Sequence, residues 1–155
     1  FSSLKSLKNT NIFLSIPNSD EGNIHIYKKI KKVLKKNKNF YFIKSMGSKK
    51  FLSMLNQMDL IAGNSSSGII EAPTIKIPTL NIGVRQKGRE CAKSIFNCEP
   101  KKILISNLIK KLLYKKKNTF NFTNPYEKKF SSKNIIKVLE NIKLEGNLNK
   151  RFYDL

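Results

Sequence analysis

The chain is 155 residues long and carries 31 Lys or Arg against 10 Asp or Glu, a formal charge of +21, with two cysteines and one histidine. That length is enough for one domain with its own core, and no apolar run approaches the roughly 18 residues that a membrane-spanning helix needs. A single histidine excludes a histidine-rich metal site or a His-based triad contained within the chain, and two cysteines are too few for a four-cysteine zinc site.

Phe1 falls in a polar segment, so the chain reads as a piece of something longer. Nothing in it has the order of a signal peptide, and a cytoplasmic, non-exported protein is expected. Residues 11–17 (NIFLSIP) form a short apolar run closed by proline, a buried-strand pattern. NSDEGN then turns, and Asp20 with Glu21 would open a helix carrying Ile26, Ile30, Val33 and Leu34 at helical spacing. His25 lies in that helix and is expected on the surface. NFYFIKSM is a second strand, followed by Ser48 as the N-cap of a helix with Phe51, Leu52, Leu55 and Met58 on one face. DLIAGN is a third strand that runs into a short helix, SSGIIEA. TLNIG is a fourth strand and SIFNCE a fifth. After Pro100 come the amphipathic helix KKILISNLIKKLLYKKK, a polar connector, a last helix around SKNIIKVLENIK and a polar tail.

Strands that are continuous apolar runs, alternating with helices, are the mark of a parallel sheet covered on both faces. The expected fold class is therefore α/β, a single three-layer α/β/α domain over residues 1–155. Of the basic residues only Arg85, Arg89 and Arg151 are arginines, and Lys, Asn, Ile and Phe are abundant together, as AT-rich coding sequence tends to produce. The lysines spread through several helices and loops, so a solvated lysine face is preferred over a nucleic-acid or membrane surface. Cys91 and Cys98 lie outside CxxC spacing and read as ordinary reduced thiols.

In such a sheet, ligands bind beyond the carboxyl ends of the strands. GNSSSG holds that position for the third strand and GVRQKGR for the fourth. The turn through Ser65, Ser66, Ser67 and Gly68 would present backbone N–H groups and hydroxyls at a helix N-terminus, an arrangement suited to phosphate. It has neither the P-loop lysine nor GxGxxG spacing, so an ATPase or dinucleotide fingerprint is not supported. Glu71, one to two turns on, is placed to accept hydrogen bonds from a vicinal diol such as a ribose. The serines would equally serve as helix caps and Glu71 as a solvent-facing residue, and spacing does not separate these readings. Arg85 and Arg89 stand where lysine is otherwise chosen, which suggests bidentate anion recognition. Gly83 and Gly88 give that loop conformational freedom.

Together these residues carry a resemblance. GNSSSGIIEAPTIKIPTLNIGVRQKGRE resembles the C-terminal domain of the hydrolysing UDP-N-acetylglucosamine 2-epimerases, the branch that feeds sialic-acid and related nonulosonate synthesis. IPNSDEGN, FIKSMGSKKFLSMLNQMDLIAGNSSSG and NPY (residues 124–126) are similar to the same family, and the resemblance spans about residues 11–145. It implies a two-domain enzyme of Rossmann-like halves, arranged as in GT-B glycosyltransferases, with this chain as the second, nucleotide-holding half. By the same resemblance Ser65 and Ser66 would hold the diphosphate and Glu71 the ribose. Arg85 would lie at the ligand cleft with Asn18 near it, and the turn at residues 45–47 would read the uracil edge. The implied reaction eliminates UDP to give an unsaturated acetamido sugar and then adds water, releasing N-acetylmannosamine and UDP without metal or nicotinamide cofactor.

The family's catalytic acids belong to its N-terminal domain, and its active-site histidine has no match in His25. No catalytic residue is therefore expected in this chain, which would be inactive alone and homo-oligomeric only as part of a longer protein. NPYEKK departs from the family's common NPYGDG. A UDP-sugar-binding module without catalysis, or a GT-B glycosyltransferase domain, is the alternative reading.

Overall fold

Runs of Ile, Phe and Leu make the strands, and each is only three or four residues long. A computed structural model describes residues 1–5, 7–16 and 23–143. The elements are β1 (Ile12–Ser15), α1 (Asn23–Leu34), β2 (Phe40–Ile43), α2 (Gly47–Leu55), β3 (Ile61–Gly63), α3 (Ser67–Ile70), β4 (Thr79–Ile82), β5 (Ile95–Cys98), α4 (Lys102–Tyr114) and α5 (Ser131–Asn141). The order of strands and helices is the one expected, with no helix between β4 and β5. The helix that Asp20 and Glu21 were expected to open begins at Asn23, and those two residues lie outside the described ones. His25 is exposed on α1. Ser48 does not cap α2. The helix starts at Gly47, with Met46 in the cap position and no side-chain cap, so the Ser48 hydroxyl already sits inside the first turn.

Among the described residues all strand pairs are parallel, and they form two ladders. β1 pairs with β2 in the register Ile12 to Phe40, and the second ladder runs β3–β4–β5 with Gly63 opposite Asn81 and Ile82 opposite Cys98. Successive residues of a strand point to opposite faces, and β4 shows what covers each. Leu80, fully buried, packs with Ile109 and Leu112 of α4 and with Cys98 and Phe120. Thr79, its neighbour, instead donates its hydroxyl to the Gly68 carbonyl of α3 over 2.8 Å. α3 and α4 thus lie on opposite faces of this ladder, which makes the three layers. Beneath α2, Leu55 meets Ala72 and Ile77, joined by Phe51, Met54 and Met58. Over the first ladder, Val33 of α1 packs on Ile12 and Phe40.

The chain divides into two compact units, Phe1–Pro125 and Tyr126–Leu155. Every strand among the described residues belongs to the first. The described part of the second is essentially α5, of which no residue is buried. Among the described residues no helix is long and apolar enough to cross a membrane.

Candidate functional site

β3 and β4 are neighbours, so the loops leaving their carboxyl ends, residues 64–66 and 83–90, start side by side. A specific contact joins them. The Gln86 carboxamide, 5 % exposed, donates from Nε2 to the Asn64 carbonyl over 2.8 Å.

The first loop supplies small donors. Ser65 is exposed, Ser66 and Ser67 are half-buried and Gly68 is buried. Ser65 Oγ accepts from the Ser67 N–H over 3.3 Å, a local turn bond, while Ser66 holds the cap position of α3 and makes no side-chain cap bond. The N–H of Gly68 goes to the Ser65 carbonyl, and those of Ile69 and Ile70 go to the Ser66 carbonyl. The amides of Ser65 and Ser66 have no protein acceptor among the described residues. α3 itself has four residues, so attraction for an anion here rests on these local donors more than on a long helix dipole.

Gly68 answers a packing demand. A Cβ there would stand 2.7 Å from Thr79 Cγ2 and 3.1 Å from Ile61 Cγ2, too close for any side chain. α3 therefore lies directly on β3 and β4, and the turn that precedes it is held at the sheet's edge.

Glu71 caps the carboxyl end of α3. It is half-buried, and its Oε2 is sealed from solvent without a hydrogen-bond partner among the described residues, so the fold does not adopt the solvent-facing alternative. A buried acceptor without a donor costs about 1–3 kcal/mol, and a pair of ligand hydroxyls would supply donors. The segment carrying Glu71 is pinned from both sides: Asn124 Nδ2 donates to the Ile70 carbonyl at 2.8 Å and to Thr74 Oγ1 at 2.7 Å. This gives the NPY motif a physical role that its sequence did not reveal.

The second loop turns out of β4 at Gly83, whose φ of 85° suits glycine. It then folds through Lys87 N–H to Val84 carbonyl and Arg89 N–H to Gln86 carbonyl bonds of 2.9 and 3.2 Å. Arg85 and Arg89 are exposed, and Arg85 is chain neighbour to the buried Gln86 that grips the serine loop. The fold thus brings the segment of Ser65, Ser66, Ser67, Gly68 and Glu71 beside the loop of Arg85. Asn18 lies outside the described residues. Residues 45–47 follow β2 in the other ladder. Of the residues that organise this candidate site, Gln86 was given no role in the sequence, and Asn124 was noted only as part of NPY. Among the described residues no group of three or more His, Cys, Asp or Glu is placed to hold a metal ion.

The family model described as UDP-N-acetylglucosamine 2-epimerase matches residues 1–140. The chain belongs to the UDP-N-acetylglucosamine 2-epimerase family. Within it, the chain is similar to polysialic acid biosynthesis protein P7 of Escherichia coli, 33 % identical, with 99 % of this chain and 40 % of that protein covered. It is also similar to the GDP/UDP-N,N'-diacetylbacillosamine 2-epimerase (hydrolyzing) of Campylobacter jejuni, 36 % identical over 98 % of this chain and 40 % of the relative. The chain thus spans about two fifths of the length of these epimerase-family relatives. In fold it resembles the crystal structure of Methanocaldococcus jannaschii UDP-GlcNAc 2-epimerase in complex with UDP-GlcNAc and UDP, at a TM-score of 0.66 and 23 % identity. That match covers 84 % of this chain and 35 % of the other. The α/β class and the GT-B type of architecture are those of this epimerase family, as the sequence resemblance implied.

Proposed function

We propose that this chain is the UDP-holding half of a hydrolysing UDP-sugar 2-epimerase, one Rossmann-like domain working with a second domain outside this sequence. The observation that carries the reading is the likeness to the hydrolyzing Campylobacter enzyme, which runs along 98 % of this chain yet covers 40 % of that relative. The substrate class is a UDP-linked N-acetylated sugar, UDP-N-acetylglucosamine or a 2,4-diacetamido analogue.

The chemistry divides between the halves. A base of the other domain takes the C2 proton, and the C1–O bond breaks with its electron pair leaving on the UDP oxygen. The C1=C2 glycal that remains then takes a hydroxyl at C1 and a proton at C2. From UDP-N-acetylglucosamine the products are N-acetylmannosamine and UDP. Charge grows on the departing diphosphate, and fixed donors aimed at it stabilise that charge without reorganising. In this reading the amides and hydroxyls of Ser65, Ser66 and Ser67 receive the diphosphate, with Arg85 as a guanidinium partner. Gly68 lets α3 seat on the sheet behind them, and Glu71 accepts from the ribose hydroxyls. Nothing in this chain is assigned the proton transfers, so the isolated chain binds UDP but does not turn over UDP-N-acetylglucosamine.

Calorimetric titration of the 155-residue chain with UDP tests the assignment. Glu71→Ala and Arg85→Ala each remove a charge-assisted bond, and each is expected to weaken UDP binding by about ten- to a hundredfold. Binding that neither substitution changes would refute the site, and N-acetylmannosamine release by the isolated chain would refute the division of labour.

A further inference from the structure

Gln86 is buried between two exposed cations, Arg85 and Lys87. Its side chain turns inward while its neighbours face solvent, and what it finds there is the Asn64 carbonyl, 2.8 Å from Nε2. Its other amide atom, Oε1, is buried without a partner among the described residues. A buried carboxamide that satisfies one end and leaves the other unmet contributes little net stability. Its position is better explained by what the satisfied end holds.

What it holds is a peptide plane. The Asn64 carbonyl and the Ser65 N–H belong to one planar trans unit and point in opposite directions. Drawing the carbonyl toward Gln86 therefore aims the Ser65 N–H away from it, and that amide is one of the two in this loop that lack a protein acceptor. The same bond anchors the 83–90 loop, whose own turns close through the Gln86 carbonyl and the Lys87 N–H. One side chain thus fixes a donor on the first loop and the chain neighbour of Arg85 on the second.

We propose that Gln86 is a positioning residue for diphosphate binding, locking the Asn64–Ser65 peptide and tethering the Arg85 loop to it. This rests on the UDP-binding reading above. Gln86 touches the loops and acts on the ligand through them, so its effect falls on the diphosphate and spares the nucleoside.

The test compares UDP with uridine, by calorimetry, on the wild-type chain and on Gln86→Met, which keeps length and volume but has no donor. The expected result is UDP affinity lower by on the order of tenfold, uridine affinity within about twofold of wild type, and an unchanged unfolding midpoint. Faster amide exchange at Lys87 and Arg89 in the unliganded variant would accompany it. Gln86→Glu, which replaces the donor with an oxygen facing the Asn64 carbonyl, gives the same comparison if Gln86→Met does not fold. UDP binding that survives both substitutions overturns the proposal alone. Equal weakening of UDP and uridine, or loss of folding in both variants, would make Gln86 a structural residue and overturn it too. A wild-type chain that binds no UDP overturns the underlying functional reading, and the proposal with it.

Discussion

At Gly68 a missing methyl group sets how closely α3 approaches the sheet. Replacing it with alanine drives a Cβ into Thr79 Cγ2 and Ile61 Cγ2, and overpacking of this kind costs about 1–3 kcal/mol. Denaturant unfolding of Gly68→Ala should show that loss. Adding Thr79→Ser, which removes Cγ2 and keeps the hydroxyl bonded to the Gly68 carbonyl, should recover a good part of it. The two cysteines differ by environment alone. Cys98 is buried at the end of β5 and Cys91 is exposed; burial, and secondarily Glu99, pushes the Cys98 thiol above its ordinary pKa. A folded value raised above the unfolded one favours the protonated thiol in the fold. Its contribution is whole below the unfolded thiol pKa, roughly 8.5, and is lost as pH rises through the folded value. Timed alkylation at mildly alkaline pH should modify Cys91 first, and removing Cys98 as Cys98→Ala should flatten the alkaline fall in unfolding midpoint. Comparable alkylation rates would contradict this placement.

The elements were largely legible because each is coded by its own neighbours. The five strands fall inside the apolar runs of the sequence, and α4 buries Ile109 and Leu112, three residues apart as a helical stripe requires. The serine loop was legible through its small residues and Arg85 through the scarcity of arginine. What was not legible joins distant segments. Gln86 reaches back 22 residues to Asn64 and Asn124 reaches back 54 to Ile70, and a side-chain bond to a remote backbone carbonyl leaves no periodic trace. The Ser48 cap failed because the helix begins one residue earlier, at Gly47, which leaves Met46 in the cap position and no side-chain cap. The grouping of strands into two ladders was equally hidden, because four-residue runs fix strand identity and not strand neighbours. Helices also differ in what holds them. Ile109→Ala should cost about 2–5 kcal/mol, whereas Leu139→Ala on α5, where Leu139 is 65 % exposed, should stay within about 0.5 kcal/mol. Equal losses in chemical denaturation would mean that α5 is buried.

At the scale of the molecule, family membership and the paired loops point the same way. A chain of the UDP-N-acetylglucosamine 2-epimerase family that spans about two fifths of its relatives brings hydroxyls, a sheltered carboxylate and an arginine loop to one edge of a parallel ladder. The charge of +21 complicates any binding measurement, because a strongly cationic surface attracts every polyanion, more weakly as salt rises. The decisive measurement is therefore a titration of the unmodified chain with UDP, uridine and pyrophosphate at two salt concentrations. The expected result is one saturable UDP site per chain, tighter than for either part alone and retained at the higher salt. UDP and pyrophosphate binding alike, and both fading with salt, would reduce the site to general electrostatics and contradict it.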